Sequence, residues 1–271
     1  MFGKRRATIM LLALVLAPSA AAAQRSDEEW LRDCDDYGDD RLVRVCDVRV
    51  ERVPAPGTPI RVDPGGNGGV SIEGWAGTGI EVHTRIQARA ETEAEAREIA
   101  DAVRMVVNGG IAADGPPRSR DANWHISFVV YVPTSSDLDI STRNGPLSVR
   151  GVSGRMTLDA QNGPLSLHDT GGDVHARTQN GPITIVLSGD RWQGAGLDAE
   201  TQNGPLSLTI PEGYNAALET GTTNGPFTSD IPLTVTLRGR LRAPIRSTLG
   251  QGGAPIRVIT SNGPLHIRNA R

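Results

Sequence analysis

The tripeptide Asn-Gly-Pro occurs six times in the 271-residue chain, at Asn144-Gly145, Asn162-Gly163, Asn180-Gly181, Asn203-Gly204, Asn224-Gly225 and Asn262-Gly263. The intervals are 18, 18, 23, 21 and 38 residues, the last close to twice 19. Two upstream variants read Asn-Gly-Gly, at Asn67 and Asn108, and Asn108 precedes Asn144 by 36 residues. Self-similarity at such a period points to one supersecondary unit packed against further copies of itself.

Registering the copies on the asparagine exposes the chemistry of each position. Three residues on stand Leu147, Leu165, Ile183, Leu206, Phe227 and Leu265, and five on stand Val149, Leu167, Ile185, Leu208, Ser229 and Ile267. Two residues before it come Thr142, Ala160, Thr178, Thr201, Thr222 and Thr260. Six before it come Leu138, Met156, Val174, Leu197, Leu218 and Ile256. The intervening positions are mostly polar, with Gln161, Gln179 and Gln202 before the asparagine and Ser148, Ser166, Thr184 and Ser207 after the proline. Alternation with period two on both sides of a turn marks two short strands, each with one buried face.

Asn-Gly between alternating strands is the commonest hairpin signal. Proline opposes that reading, because the residue after glycine would have to donate an N–H across the hairpin and proline has none. Proline does fit the first position of a strand that follows a bend. The expected fold is therefore all-β: a β-solenoid, parallel β-helix-like, of about 18–23-residue coils, in preference to a meander, sandwich or propeller. Aromatic residues are only 4% of the chain, so the core must be aliphatic. The longer intervals, Gly189 to Gly196 with Trp192 and Pro232 to Ala254, read as loops on the column.

The N-terminus carries an address. Lys4-Arg5-Arg6 forms a basic n-region, Ile9 to Ala17 an apolar h-region, and Ala21 and Ala23 the small residues of a cleavage site. Residues 1–23 are expected to be a signal peptide cleaved after Ala23, delivering the protein to the periplasm or outside the cell. The apolar run is too short to cross about 30 Å of hydrocarbon, and no later stretch reaches 18 apolar residues, so no transmembrane segment is expected in the mature chain. An oxidising compartment lets Cys34 and Cys46, the only cysteines, pair as a structural disulfide. Their spacing does not match zinc ligands. Residues 24–56 read as a disulfide-containing cap, and residues 57–271 as the β-strand domain. Within that domain Thr92 and Glu95 form a capping box that opens a helix at about 92–107. The helix sets Ala96, Ile99, Val103 and Val106 at helical spacing.

Charge excludes one class of function. The net charge is −3, and −6 once Lys4, Arg5 and Arg6 leave, so the basic surplus of a nucleic-acid binder is missing. Asp33, Asp35, Asp36, Asp39 and Asp40 invite a calcium loop, but Tyr37 and Arg44 stand where ligands are needed, and a solvated acidic loop is expected. His83, His125, His168, His175 and His266 lack metal-site spacing and read as surface residues. No nucleophile elbow, phosphate loop or dinucleotide fingerprint occurs, so no catalytic residues, cofactor or metal are expected. Outward charges at Asp139, Asp159, Arg177, Asp198, Glu200, Glu219 and Arg257 alternate in sign between copies, as in solvated ladder pairing.

The T-x-N-G-P-[LI]-[ST]-[LIV] copies resemble the bacterial putative-adhesin family of β-strand-repeat envelope proteins. So do the leader, the Cys34/Cys46 segment, Ser71-Ile72-Glu73-Gly74-Trp75, the short helix and Tyr131-Val132-Pro133. The resemblance covers nearly the whole mature chain and implies a right-handed β-helix-like domain, secreted or periplasmic, with no established activity. The expectation is a non-enzymatic protein presenting a repetitive polar surface to an envelope protein or a glycan. The competing readings are a glycan-active enzyme on the same scaffold and a self-associating scaffold.

Overall fold

The computed structural model describes residues 19–36, 41–54, 58–233 and 244–270. Most of the expected leader and Asp39 and Asp40 lie outside them. Helix α1 (Ser19–Asp36) precedes β1 (Val43–Val53), β2 (Ile60–Asp63), β3 (Val70–Trp75) and β4 (Ile80–Ala90). Helix α2 (Glu93–Ala102), β5 (Arg104–Val107), β6 (Ile111–Asp114) and β7 (Asn123–Pro133) follow. Strands then come in pairs across the Asn-Gly-Pro corners: β8 (Leu138–Asn144) with β9 (Leu147–Arg150), and β10 (Ser153–Asn162) with β11 (Leu165–His168). Next are β12 (Gly171–Asn180) with β13 (Ile183–Val186), and β14 (Gly196–Asn203) with β15 (Leu206–Ile210). The last are β16 (Ala216–Asn224) with β17 (Phe227–Ser229), then β18 (Ile245–Leu249), and β19 (Pro255–Asn262) with β20 (Leu265–Asn269).

These strands form two open, mixed sheets of ten strands each, which corrects the expected β-solenoid. The first runs β1-β4-β7-β3-β9-β11-β13-β15-β20-β17 and the second β18-β16-β19-β14-β12-β10-β8-β2-β6-β5. Three antiparallel regions break a uniform winding. The eleven-residue strands β1, β4 and β7 pair antiparallel, β5 pairs antiparallel with β6, and β18 with β16. The last corner pair also inserts out of order, β19 between β14 and β16, and β20 between β15 and β17. The sequence cause is local. Long uninterrupted strands such as β4 and β7 contain no corner. The 38-residue interval, counted as two copies, holds β18 instead.

The two Asn-Gly-Gly variants part company. Asn67 joins β2 to β3, one in each sheet, and Gly68 N–H donates to the Asn144 carbonyl at 3.2 Å. Asn108 instead closes the β5–β6 hairpin, with its N–H on the Gly110 carbonyl at 3.0 Å and Gly109 at φ +67°. Every Asn-Gly-Pro corner passes the chain from the second sheet to the first, so its flanking strands are not partners of each other. Between neighbouring corners the pairing is parallel and in register, for example Asn162↔Asn180 and Leu165↔Ile183. Gly163 N–H donates to the Asn180 carbonyl at 3.0 Å, and Leu165 N–H to the Pro182 carbonyl at 2.9 Å. Proline's missing N–H is thus no loss, since its carbonyl is the group in use.

The core lies between the sheets. Leu147, Leu165, Ile183, Leu206 and Leu265 are buried on one sheet, and Leu138, Met156, Val174, Leu197 and Ile256 on the other. Buried threonines carry a hydroxyl into this aliphatic layer, where an unpaired polar group would be costly. Those beside the corners find a corner carbonyl: Thr201 donates to Gly181 at 2.9 Å, Thr260 to Gly204 at 2.9 Å and Thr178 to Gly163 at 3.2 Å, whereas the buried hydroxyls of Thr84 and Thr220 have no hydrogen-bond partner.

The helices sit on opposite faces of the β1–β4 ribbon. Alternation sends Arg44 and Cys46 toward α1, where the Cys34–Cys46 disulfide and the Arg44 contact to the Cys34 carbonyl tie the helix down. The same alternation sends Arg49 toward α2. That helix is capped by Thr92, whose Oγ1 accepts from Glu95 N–H at 3.2 Å, and it buries Ala96 and Ala100. It ends at Ala102, shorter than the expected 92–107. Val103 is extended (φ −75°, ψ 132°), and Arg104–Val107 is taken up as strand β5, where Val106 faces Ala112.

Candidate functional site

The corner asparagines form one row. In spatial order Asn67, Asn144, Asn162, Asn180, Asn203, Asn262 and Asn224 are linked Nδ2 to Oδ1 at 2.8–3.0 Å, each donating to the preceding one. The register puts these amides one strand spacing apart, close to 4.8 Å. The glycine beside each asparagine makes this spacing attainable. A Cβ on Gly163, Gly181 or Gly204 would land on the carbonyl oxygen of the preceding corner's glycine.

Beside that row the second sheet turns outward a band of amides and charges. Gln161, Gln179 and Gln202 are exposed, and with Ser141, Asp159 and Arg177 they line a shallow groove of about 700 Å³. Further along, Arg257 Nη1 lies 2.5 Å from Asp198 and 3.3 Å from Glu200, and Arg246 Nε lies 3.0 Å from Glu219. Asp159 and Arg177 are register partners. The paired carboxylates a hydrolase would need are thus shared by one guanidinium. Burial works against the charged Arg257, but bonds to Asp198 and then Glu200 outweigh it and raise its pKa. The first sheet's outer face carries a plainer row, in which Ser71, Ser148, Ser166, Thr184 and Ser207 follow one another in register. Ser148 donates to Ser71 at 2.9 Å.

One expectation about a single residue changes. His83 is not a surface histidine: it is 4% exposed, with Nδ1 against Asp27 of α1 and Nε2 3.2 Å from Glu81. Arg85 Nε donates to the other Asp27 oxygen at 2.9 Å. Burial pushes the Glu81 carboxyl up, but hydrogen bonds from Arg52 and His83 more than offset it and leave the pKa lowered. Burial, reinforced by the nearby Glu73 and Asp27, pushes the Tyr131 hydroxyl up to about 12. This cluster fastens α1 to the first sheet. Its sequence signal is the alternation of Glu81, His83 and Arg85 on one strand face, which becomes meaningful only once α1 covers it. Trp192, in the loop from Gly189 to Gly196, is 5% exposed and its Nε1 donates to the Gly172 carbonyl at 2.9 Å, so it packs into the core. Among the described residues no His, Cys, Asp and Glu group has metal-holding geometry, and no helix is long and apolar enough to cross a membrane.

No protein-family model matches the chain, and no curated protein matches it. Among solved structures it is similar to a putative cell adhesion protein from Clostridium sporogenes ATCC 15579, at 8% identity and a TM-score of 0.42, over 83% of this chain and 100% of that one. It is also similar to a putative adhesin from Bacteroides fragilis NCTC 9343, at 11% identity and a TM-score of 0.30, over 83% and 97%. A putative lipid binding protein from Parabacteroides distasonis ATCC 8503 aligns at 8% identity and a TM-score of 0.32, over 83% and 97%.

Proposed function

We propose that this is a non-enzymatic protein of the periplasm or cell exterior that uses its corner face to bind a linear, hydroxyl-rich polymer such as a glycan. The carrying observation is the asparagine row with the exposed glutamines beside it. Amides both donate and accept, so they suit hydroxyl groups, which do the same. Their regular spacing suits a chain of repeating units, where many weak contacts add. The sharing of Asp198 and Glu200 by Arg257 supports binding over hydrolysis, since a free acid and a free base are what glycoside cleavage needs. A secreted location is supported by the basic and apolar leader with its Ala21/Ala23 site and by the Cys34–Cys46 disulfide.

Affinity electrophoresis through neutral and acidic polysaccharides tests the reading. Retardation by at least one glycan, weakened about tenfold in the Gln179→Ala/Gln202→Ala double variant without loss of stability, is expected. Appearance of new reducing ends, abolished by Asp198→Ala or Glu200→Ala, would make the protein an enzyme instead. Retardation by no glycan would move the partner to the protein class.

A further inference from the structure

Beneath α1, on the outer face of β1, β4 and β7, lies a second cavity of about 410 Å³. Its walls gather Arg44, Arg85, Arg89 and His125, with Trp30 of α1 on one side and Asp33 as the acid at its lining. Two arginines oppose each other across the strands, since Arg44 and Arg89 are register partners. Like charges placed directly opposite on neighbouring strands are destabilising. Arg85 is already engaged, held by Asp27 and by Ser26 Oγ at 2.8 Å. Arg44 Nη1 donates to the Cys34 carbonyl at 3.0 Å. Arg89 differs: its Nε is buried and has no hydrogen-bond partner. A buried guanidinium donor left unmatched is costly. Concave shape, an aromatic wall and a buried donor without a partner, here the Arg89 Nε, are features of a small-ligand site.

We propose that this cavity binds a small molecule bearing a phosphate or sulfate group, the oxyanion bridging Arg44 and Arg89 and its substituent resting against Trp30. An oxyanion accepts from planar guanidinium forks with good geometry. Independent support comes from His125: burial first, then the charges of Arg89, Arg118 and Arg44, lower its pKa, the mark of an electropositive enclosure. The site lies on the first sheet's outer face and does not depend on the glycan reading of the corner face.

Calorimetric titration of the full oxidised chain with inorganic phosphate, inorganic sulfate and glycerol phosphate, against chloride at matched ionic strength, tests it. Saturable one-to-one binding of at least one oxyanion is expected, weakened at least tenfold by Arg89→Gln. In the absence of ligand this variant should melt no lower than the wild type, because the buried, unmatched guanidinium donor of Arg89 is gone. Tighter binding of glycerol phosphate than of free phosphate would support the substituent's place against Trp30. No binding beyond chloride, or equal binding by Arg89→Gln, would overturn the site. Should that variant fail to fold, the wild-type Arg89 Nε–H resonance decides. Movement on phosphate addition supports the site, and an unmoved resonance overturns it.

Discussion

A glycine and an asparagine share every corner, and their replacements differ in kind. Asn180 donates to Asn162 and accepts from Asn203, both in solvent. Neutral exposed bonds of this sort are worth about 1 kcal/mol together or somewhat more. Gly181 faces a harder constraint, since a Cβ there would fall on the Gly163 carbonyl. Relieving such a clash forces backbone apart, at about 1–3 kcal/mol or more. Urea denaturation should therefore place Gly181→Ala below Asn180→Ala in stability, and the reverse order would contradict the packing described. Residue-level chemistry was readable here only in part. The asparagine and glycine columns stand out in the chain, as does the inward place of Thr178, Thr201 and Thr260, whereas the corner carbonyls that satisfy those hydroxyls emerge only from the structure. Ala160, the exception in that column, lies beside Thr142, whose hydroxyl reaches the Gly145 carbonyl at 3.4 Å.

Elements were legible where a signal was local. Thr92 and Glu95 mark the start of α2 correctly, because capping is settled within one turn. Its end is not legible in the sequence, because Val103 and Val106 fit a helical stripe as well as they fit an extended chain. The register of β5 on β6, closed by the glycine-rich turn after Asn108, decides between them. Strand order is the clearest case of information held at long range. Nothing near Asn262 announces that β19 will slot between β14 and β16. That order brings Arg257 beside Asp198 and Glu200, which supplies an ionic reason after the fact. The end of α2 also owes its stability to a distant residue. Arg49 of β1 donates to the Ala100 carbonyl at 2.9 Å and to the Val103 carbonyl at 2.7 Å. A cation at a helix C-terminus satisfies carbonyls that lack partners within the helix. Charge-assisted bonds of this kind are worth about 1.5–3 kcal/mol each when shielded, and the half-buried Arg49 should be worth about 2 kcal/mol in all. Arg49→Ala should lower stability by that amount and Arg49→Lys by less, measured by denaturant midpoint; a neutral Arg49→Ala would show the α2 terminus to be held by packing alone.

The molecule as a whole joins an antiparallel, helix-flanked end to a regular stretch of corner pairs, and both contribute to its acid response: His168 of β11, like His125 of β7, has a lowered pKa through burial and a nearby arginine. His125 has a pKa below the ordinary 6.5, through burial and the nearby Arg89, Arg118 and Arg44. Below 6.5 the unfolded chain takes up a proton that the folded protein resists, so stability falls on acidification. Glu81, held below the ordinary 4.5 by Arg52 and His83, contributes stability above 4.5 that is lost as pH drops through its depressed value. Denaturation midpoints should decline from pH 7 to 5.5, less steeply in His125→Gln, and again below 4.5; a midpoint rising over the first interval would contradict this. The fold as a whole stands on the corners: each carries the chain from one sheet to the other and adds its amide to a single row. Through-space contacts among asparagine side-chain amides in solution NMR examine that row directly. Cross-peaks are predicted in the order Asn144, Asn162, Asn180, Asn203, Asn262, Asn224. Contacts between Asn203 and Asn224 that bypass Asn262, or antiparallel contacts between the two strands flanking one corner, would contradict it.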